Sequence, residues 1–427
     1  MEKDSKGKKK FKIVTLGCRT NQYESQAYND QLEAMGFSQA EDNEPAEICV
    51  INTCTVTESA DRRSYYQLRQ LIKNNPYSQI LVTGCLAERH KRDLEKIRGV
   101  SHVVPNKEKD RLLSYAFPYE ELPEFKIQRF EAHTRAFVKI QDGCNSYCSY
   151  CIIPFVRGRS RSKKVPEILS EARDLVANGY KEIVLTGINI GDFDGGAEPG
   201  QAEVRLSSLV REIDKIEGLE RIRISSIDPD EVDDDLLKAV IEGKKTCPSM
   251  HIVLQAGSNA VLKRMNRKYT KQDFLRTVAR LKKAHSDFTF TTDVIVGFPG
   301  ETAEDFAETL EIIEEVKFAK VHMFPYSVRP KTRASRFTDP VPEEEIRFRK
   351  QQLLRKAEQA AFSLRNAYVG RKLKVLTEAF DQKTDSMKGH SDNFLEVLIK
   401  GKKMRPNELV EVVCVRNEPE GLVAELI

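Results

Sequence analysis

Short apolar runs alternate with longer amphipathic stretches through most of this chain. That alternation is what a parallel sheet flanked by helices writes into a sequence. The first three runs are Phe11 to Leu16, Ile48 to Thr53 and Ile80 to Thr83. Helical periodicity follows each, over about 22–35, 58–73 and 88–97, and predicts a Rossmann-like parallel α/β domain. A second series starts at Ala136. Its expected strands are 136–141, 182–186, 221–226, 250–255, 289–296 and 320–324, with helices over 166–178, 206–216, 231–242, 271–284 and 303–316. Six such units predict an incomplete β/α barrel with its active end at the carboxyl ends of the strands. A charged helix follows over 342–366. The remainder alternates at period two in LKVLTEAF, FLEVLIKG, ELVEVVCVRNEP and GLVAELI, and predicts a small all-β barrel. The expected division is a disordered basic tail (1–10), an α/β domain (11–120), a linker (121–135), the barrel with its trailing helix (136–366) and the small β barrel (367–427).

Cysteines decide what this scaffold is for. Each of the first three strands runs into one: Cys18, Cys54 and Cys85. The crevice of a parallel sheet lies outside the carboxyl ends of its strands. A single cysteine there is most often a small buried hydrophobe. Three at equivalent positions read instead as a three-thiolate cluster site. A second triplet, Cys144, Cys148 and Cys151, is spaced C-x3-C-x2-C directly after the first barrel strand. Full protein ligation of a four-iron cluster takes four cysteines. Three leave one iron open to a small chelating molecule. A structural zinc site usually has four ligands in paired units, and no second pair or nearby histidine completes one here. Disulfides do not suit a chain without an export signal. Cys49, Cys247 and Cys414 lack partners and are expected in the core.

Composition adds less. The chain has 427 residues and a formal net charge of +4, so charge alone does not announce a nucleic-acid partner. Basic residues are concentrated locally, in RGRSRSKK (157–164), KRMNRK (263–268) and the helix over 347–356, where phosphate contacts are expected. No apolar run approaches the ~18 residues of a membrane span. With nine cysteines and no apolar stretch after its basic start, the chain is expected in the reducing cytoplasm.

Several other residues at strand ends are candidates for cofactor contacts. Gly187 and Asn189 follow the second barrel strand, where a glycine lets backbone approach a bound group. Ser225, Ser226 and Asp228 close the third, with hydrogen-bonding groups for ribose hydroxyls. Gln255 ends the fourth, and Arg157 offers a charge-assisted pair to a carboxylate. The bland reading of each is ordinary strand-end turn chemistry.

The stretches TLGCRTNQYES, VINTCTVT, VTGCLAE, KIQDGCNSYCSYCIIPFVRGRSRS, LTGINIGDF, SSIDP, LQAGSNAVLKRMNR, DVIVGFPGET and FPYSVRPKTRA resemble the methylthiotransferase family of radical S-adenosylmethionine enzymes over nearly the whole chain. The resemblance implies two [4Fe-4S] clusters. Cys144, Cys148 and Cys151 would hold the one that cleaves S-adenosylmethionine, and Cys18, Cys54 and Cys85 an auxiliary one carrying the sulfur to be inserted. Two S-adenosylmethionine molecules are spent per turnover, and the final barrel resembles a TRAM domain. Asn21-Gln22-Tyr23-Glu24 is similar to the branch that modifies C2 of N6-threonylcarbamoyladenosine beside the tRNA anticodon. Arg19-Thr20, Ala256 and Asp228 depart from the family pattern. The alternatives within the family are isopentenyladenosine in tRNA and a ribosomal-protein aspartate. Implied partners are a tRNA anticodon stem-loop, an external electron donor and a sulfur donor, with no membrane. A non-catalytic iron–sulfur or RNA-binding module is the competing class, and it has no need of two open-site triplets.

Overall fold

The computed structural model describes residues 9–42, 44–129, 134–198, 200–401 and 403–427. Most of the expected basic tail lies outside these residues, as does 130–133 of the expected linker. Lys10 does not belong to a tail, because it opens the first strand.

The first sheet holds β1 (Lys10–Thr15), β2 (Ser38–Gln39), β3 (Ile48–Thr53), β4 (Gln79–Gly84) and β5 (His102–Val103), all parallel, in the order β2-β1-β3-β4-β5. The helices are α1 (Arg19–Ala34), α2 (Glu58–Asn74), α3 (Cys85–Arg89) and α4 (Lys91–Glu95). The single helix expected over 88–97 is two short ones. His90, at φ −120° and ψ 32°, leaves helical geometry between them. Helix α1 is polar in sequence, yet eleven of its sixteen residues are buried. Tyr28 and Leu32 pack on the first sheet, while Tyr23 and Ala27 join the core of the barrel.

The barrel sheet consists of β6 (Arg135–Lys139), β9 (Glu182–Thr186), β10 (Arg221–Ile227), β11 (Thr246–Ile252), β12 (Thr289–Val296) and β13 (Lys320–Pro325), ordered β13-β12-β11-β10-β9-β6 and parallel. Between its first two strands, β7 (Gln141–Asp142) and β8 (Arg161–Ser162) pair antiparallel and pinch the cysteine loop shut at its base. The helices are α5 (Ile153–Val156), α6 (Val165–Ala177), α7 (Leu206–Asp214), α8 (Asp234–Glu242), α9 (Asn259–Arg264), α10 (Lys271–Ala284), α11 (Ala303–Val316) and α12 (Glu343–Asn366). The fourth strand ends earlier than expected. Gln255 lies beyond it with φ +62°, joined to β12 through a single bridge to Val294.

The last five strands, β14 (Lys372–Asp381), β15 (Ser386–Ser391), β16 (Glu396–Lys400), β17 (Leu409–Glu418) and β18 (Gly421–Leu426), close into a barrel in the order β14-β15-β16-β18-β17. Strand β15, SMKGHS, has no β-branched residue to announce it. This small barrel caps the starting ends of the larger one. Arg221 donates to the carbonyls of Lys374 (2.7 Å) and His390 (3.1 Å), and Arg223 to those of Ser391 (2.7 Å) and Asp392 (2.8 Å). Among the described residues no helix is long and apolar enough to cross a membrane.

A buried ion cluster fixes the first sheet on the barrel. Glu24 of α1 accepts from Lys109 (2.5 Å), Lys139 (3.1 Å) and Arg157 (3.1 Å). Asp142 accepts from Arg157 (2.9 Å), Lys139 (3.3 Å), Arg161 (3.2 Å) and also Lys109. Burial alone would raise the Glu24 and Asp142 carboxyls, but Arg157, Lys109 and Lys139 outweigh it and hold both well below the usual range. A depressed carboxyl stabilises the fold above its unfolded pKa and loses that contribution as pH falls through the folded value. Replacing Glu24 with Gln is therefore expected to cost about 3–5 kcal/mol at neutral pH, since it strands buried cations. The deficit against the unsubstituted protein should shrink below about pH 4, where the Glu24 contribution itself fades. Urea unfolding of both proteins across that range checks the sign and the window.

Candidate functional site

Strands β1, β3 and β4 are neighbours, with Thr15 opposite Asn52 and Thr53 opposite Gly84. Their carboxyl ends therefore deliver Cys18, Cys54 and Cys85 to one edge. Glycine makes two of the turns possible. Gly17 has φ +98°, and a Cβ there would stand 3.1 Å from Cys54 Sγ. Gly84 has φ +94°, and a Cβ would collide with the backbone of Thr53. Asn21 ties the turns together by donating to Leu16 O (2.6 Å) and Thr53 O (3.1 Å). Cys18 is exposed, Cys54 half-buried and Cys85 buried. Burial and the neighbouring thiols push Cys54 up to about 12. Cys85 is raised mainly by burial, against the pull of the nearby Arg157 guanidinium.

The second set is held on a clamped loop. Cys144 N–H donates to Gly158 O (3.2 Å), and Cys151 N–H to Cys148 O (3.0 Å). Between them Ser149 N–H reaches Met265 O (2.9 Å) and Ser149 O accepts from Ala334 N–H (2.7 Å). Ser146 N–H donates to Cys144 Sγ (3.4 Å), and Arg267 Nη1 to Cys148 Sγ (3.0 Å). Burial raises the Cys144 and Cys151 thiols, and Cys148 beside them adds to the effect. The two sets adjoin. Cys85 packs on Ile152, Ile153 and Val156, in and beside the short helix α5 that follows Cys151. Among the described residues no group of three Cys, His, Asp or Glu side chains is gathered as a single-ion site.

The other predicted residues separate into two groups. Gly187 and Asn189 sit at the mouth of the second set, where Gln141 Oε1 accepts from Ile188 N–H (3.0 Å) and Asn189 N–H (2.9 Å). A Cβ on Gly187 would stand 2.9 Å from Gln141 Oε1, so the glycine serves this close approach. Asn189 Nδ2 donates to Glu231 Oε1 (2.9 Å), and burial beside Asp228 brings that carboxyl up to about 7. Asp228 caps the turn after β10 and pairs with Arg267, whose other arm holds Cys148. Ser225 is buried and Ser226 half-buried on the same strand. Gln255 holds its side-chain oxygen buried with no hydrogen-bond partner. Such an orphaned acceptor marks a place for a donor.

Arg157 belongs elsewhere. It does meet carboxylates, as expected, but they are Glu24 and Asp142 of the protein itself. Its side chain is 0% exposed, so it has no face left for a cofactor carboxylate. The run KRMNRK is likewise not a solvated phosphate-binding surface throughout. Arg264 is paired with Asp339 (2.7 Å) and Arg267 with Asp228. Sequence reasoning missed Arg267, Gln141 and Glu231 as site residues. Only the basic run around Arg267 offered a signal, and it pointed outward. Cys49, Cys247 and Cys414 are buried, as expected.

Comparison with known proteins agrees with this geometry. The radical SAM superfamily model matches residues 138–313, and the model described as uncharacterized protein family UPF0004 matches 10–105. The chain is 47% identical over 421 residues to the threonylcarbamoyladenosine tRNA methylthiotransferase MtaB of Chlamydia pneumoniae, covering 98% of both. It is 37% identical to the protein of the same name from Bacillus subtilis, over 94% of this chain and 93% of that one. Identity to the tRNA-2-methylthio-N(6)-dimethylallyladenosine synthase of Clostridium novyi is 33%, over 98% and 97%. A solved structure of the radical S-adenosylmethionine methyltransferase TsrM from Kitasatospora setae superposes with a TM-score of 0.55 at 14% identity, covering 77% of each chain, which is a likeness of fold. With near-complete coverage at 47% identity, and with both thiol sets standing at strand ends, the chain belongs to the radical S-adenosylmethionine methylthiotransferase family, in its threonylcarbamoyladenosine tRNA branch.

Proposed function

We propose that this protein converts N6-threonylcarbamoyladenosine beside the tRNA anticodon to its 2-methylthio derivative. The observation that carries this reading is the juxtaposition of two open-site thiol sets, with Cys85 packed on the helix that follows Cys151. Adenine C2–H has no acidic proton and no leaving group, so acid–base side chains alone cannot open it, and the reactivity has to come from cofactors.

The donor sets fit iron–sulfur clusters. Both offer three thiols and, among the described residues, no fourth; Arg267 donates to Cys148, and the buried Arg157 guanidinium acts on Cys85. Such cations offset the negative charge of thiolate ligands in a low-dielectric site. Cys144, Cys148 and Cys151 are assigned to the cluster that supplies radical chemistry when S-adenosylmethionine is bound. Cys18, Cys54 and Cys85 are assigned to a second cluster that supplies the sulfur. A second S-adenosylmethionine per turnover supplies the methyl group. Gln255, Asn189, Ser225, Ser226 and Asp228 are assigned to orient S-adenosylmethionine at the Cys144, Cys148 and Cys151 site. Gly187 keeps their loop close to Gln141. The protein is proposed to work in the cytoplasm with an external electron donor and a sulfur donor. Its TRAM-like barrel, sitting at the far end from the thiols, is proposed to hold RNA away from the reacting base.

Three measurements test the reading. After anaerobic reconstitution the protein should hold two four-iron clusters, and a Cys144/Cys148/Cys151 triple Ala variant should hold one. Iron and sulfide analysis decides this, and a folded triple variant that keeps both clusters, or loses all its iron, contradicts the assignment. A Cys18/Cys54/Cys85 triple Ala variant should still release 5′-deoxyadenosine from S-adenosylmethionine while forming no methylthio product. Chromatography of both products separates these roles. Nucleoside mass spectrometry of tRNA from cells with and without the gene should show loss of the 2-methylthio-N6-threonylcarbamoyl nucleoside alone. Loss of the methylthio-isopentenyl nucleoside instead would move the protein to the other tRNA branch.

A further inference from the structure

Arg19 follows Cys18 directly and opens α1, yet its side chain enters the barrel. The guanidinium lies over the ring of Phe137 on β6, 5.6 Å from its centre. It lines a cavity of about 50 Å³ whose polar wall is completed by Arg135, Arg223, Ser249, His251 and Thr291. The interior of a β/α barrel is ordinarily filled by branched apolar side chains. Three arginines and a histidine around so small a space make a site for a compact anion.

Two of those arginines already have partners. Arg135 pairs with Glu378 at 3.2 Å and Arg223 with Glu182 at 2.6 Å. Among the described residues no carboxylate lies within ion-pair distance of Arg19. The acids that act on it, Asp293 and Glu182, do so from beyond ion-pair distance. His251 adds a second sign of an unmet contact. Its Nδ1 pairs with Thr291 Oγ1 at 2.9 Å, but its Nε2 is buried with no hydrogen-bond partner, the Asp293 carboxylate being 3.4 Å away.

Arg19 follows Cys18 in the chain, and its side chain runs from the turn that carries that thiol into the barrel interior, towards Phe394 of the small barrel. An N6 acyl-urea can close an N–H···N1 hydrogen bond within the modified base. That turns the threonyl arm toward the N1–C2 edge, the edge that has to face the thiols. The free carboxylate of that arm is a compact anion, and an isopentenyl arm has none. An apolar arm entering this space would leave Arg19 desolvated and unpaired, which is discrimination by an unpaid polar group.

We propose that Arg19 binds the threonyl carboxylate of the substrate base and thereby selects among N6 substituents, an inference that rests on the function proposed above. The test uses reconstituted holoenzyme and anticodon stem-loop RNAs carrying N6-threonylcarbamoyladenosine, its methylamide-capped form, or isopentenyladenosine. Arg19→Met should raise KM for the acid about ten- to a hundredfold, the size of one charge-assisted hydrogen-bonded contact, while Arg19→Lys retains most of the affinity. Iron content and RNA-independent release of 5′-deoxyadenosine should not change. The methylamide should be a poor substrate for the unsubstituted enzyme and no poorer for Arg19→Met. Unchanged KM for the acid in Arg19→Met, or losses from the two changes that multiply, would overturn the assignment. A parallel loss of iron would assign Arg19 to cluster retention and overturn it as well. If the unsubstituted enzyme ignores the threonylcarbamoyl RNA but accepts the isopentenyl one, the proposed function itself falls, and this inference with it.

Discussion

The two thiol sets adjoin because a sealed group of charges allows one docking of the first sheet on the barrel. Glu24 and Lys109 come from one side, and Lys139, Asp142, Arg157 and Arg161 from the other. Apolar packing tolerates sliding, since it depends on area rather than direction. Buried ions do not, because any displacement leaves a charge in low dielectric without its partner. Arg157 passes that restriction on to the chemistry. The same guanidinium that bridges Glu24 and Asp142 also binds Asn21 and acts electrostatically on the Cys85 thiol. Arg157 thus belongs both to the charge group that fixes the docking and to the surroundings of one thiol.

Strand positions and both cysteine sets were legible in the sequence because their signals are local. An apolar run that ends in Gly-Cys names its own strand end, and C-x3-C-x2-C needs no partner to be recognised. The role of α1 was not legible in this way. RTNQYESQAYNDQLEA announces a helix but not its burial between two cores, which in part depends on residues more than a hundred positions away, such as Glu171 for Tyr23. Arg157 and Arg267 were misread for the same reason. A basic run looks alike whether it faces water or folds back on carboxylates and thiols. Strand β15 escaped notice because Ser and Gly are there for fit. Gly389 lies so close to Val375 and Leu376 of β14 that a Cβ would clash.

The molecule separates its two ends by chemistry. The carboxyl ends of both parallel sheets carry the thiols, and the starting ends of the larger one are closed by the small barrel. Glu182 shows how strongly that closure is built. Burial would raise its carboxyl, yet Arg223, Arg135 and Arg221 bring it below the usual range. Arg221 and Arg223 then spend their remaining donors on carbonyls of the small barrel. The barrel is thus part of the larger core's electrostatics as well as an appendage to it. An RNA held by that barrel while presenting a base at the thiols would have to run the length of the radical sheet.

The thiols themselves suit a protein that folds before it is loaded. Burial raises Cys54, Cys85, Cys144 and Cys151, so without metal these side chains are neutral and inexpensive to enclose. Ligation of clusters there, as proposed, needs thiolates, and binding would therefore release protons and place new negative charge at both strand edges. The compensating cations are already in position. Arg157 lies against one set and Arg267 against the other, each anchored by carboxylates that leave it in place whichever state the thiols occupy. The acids that hold these two arginines, Glu24, Asp142 and Asp228, thus support the proposed cluster sites from beyond the thiols.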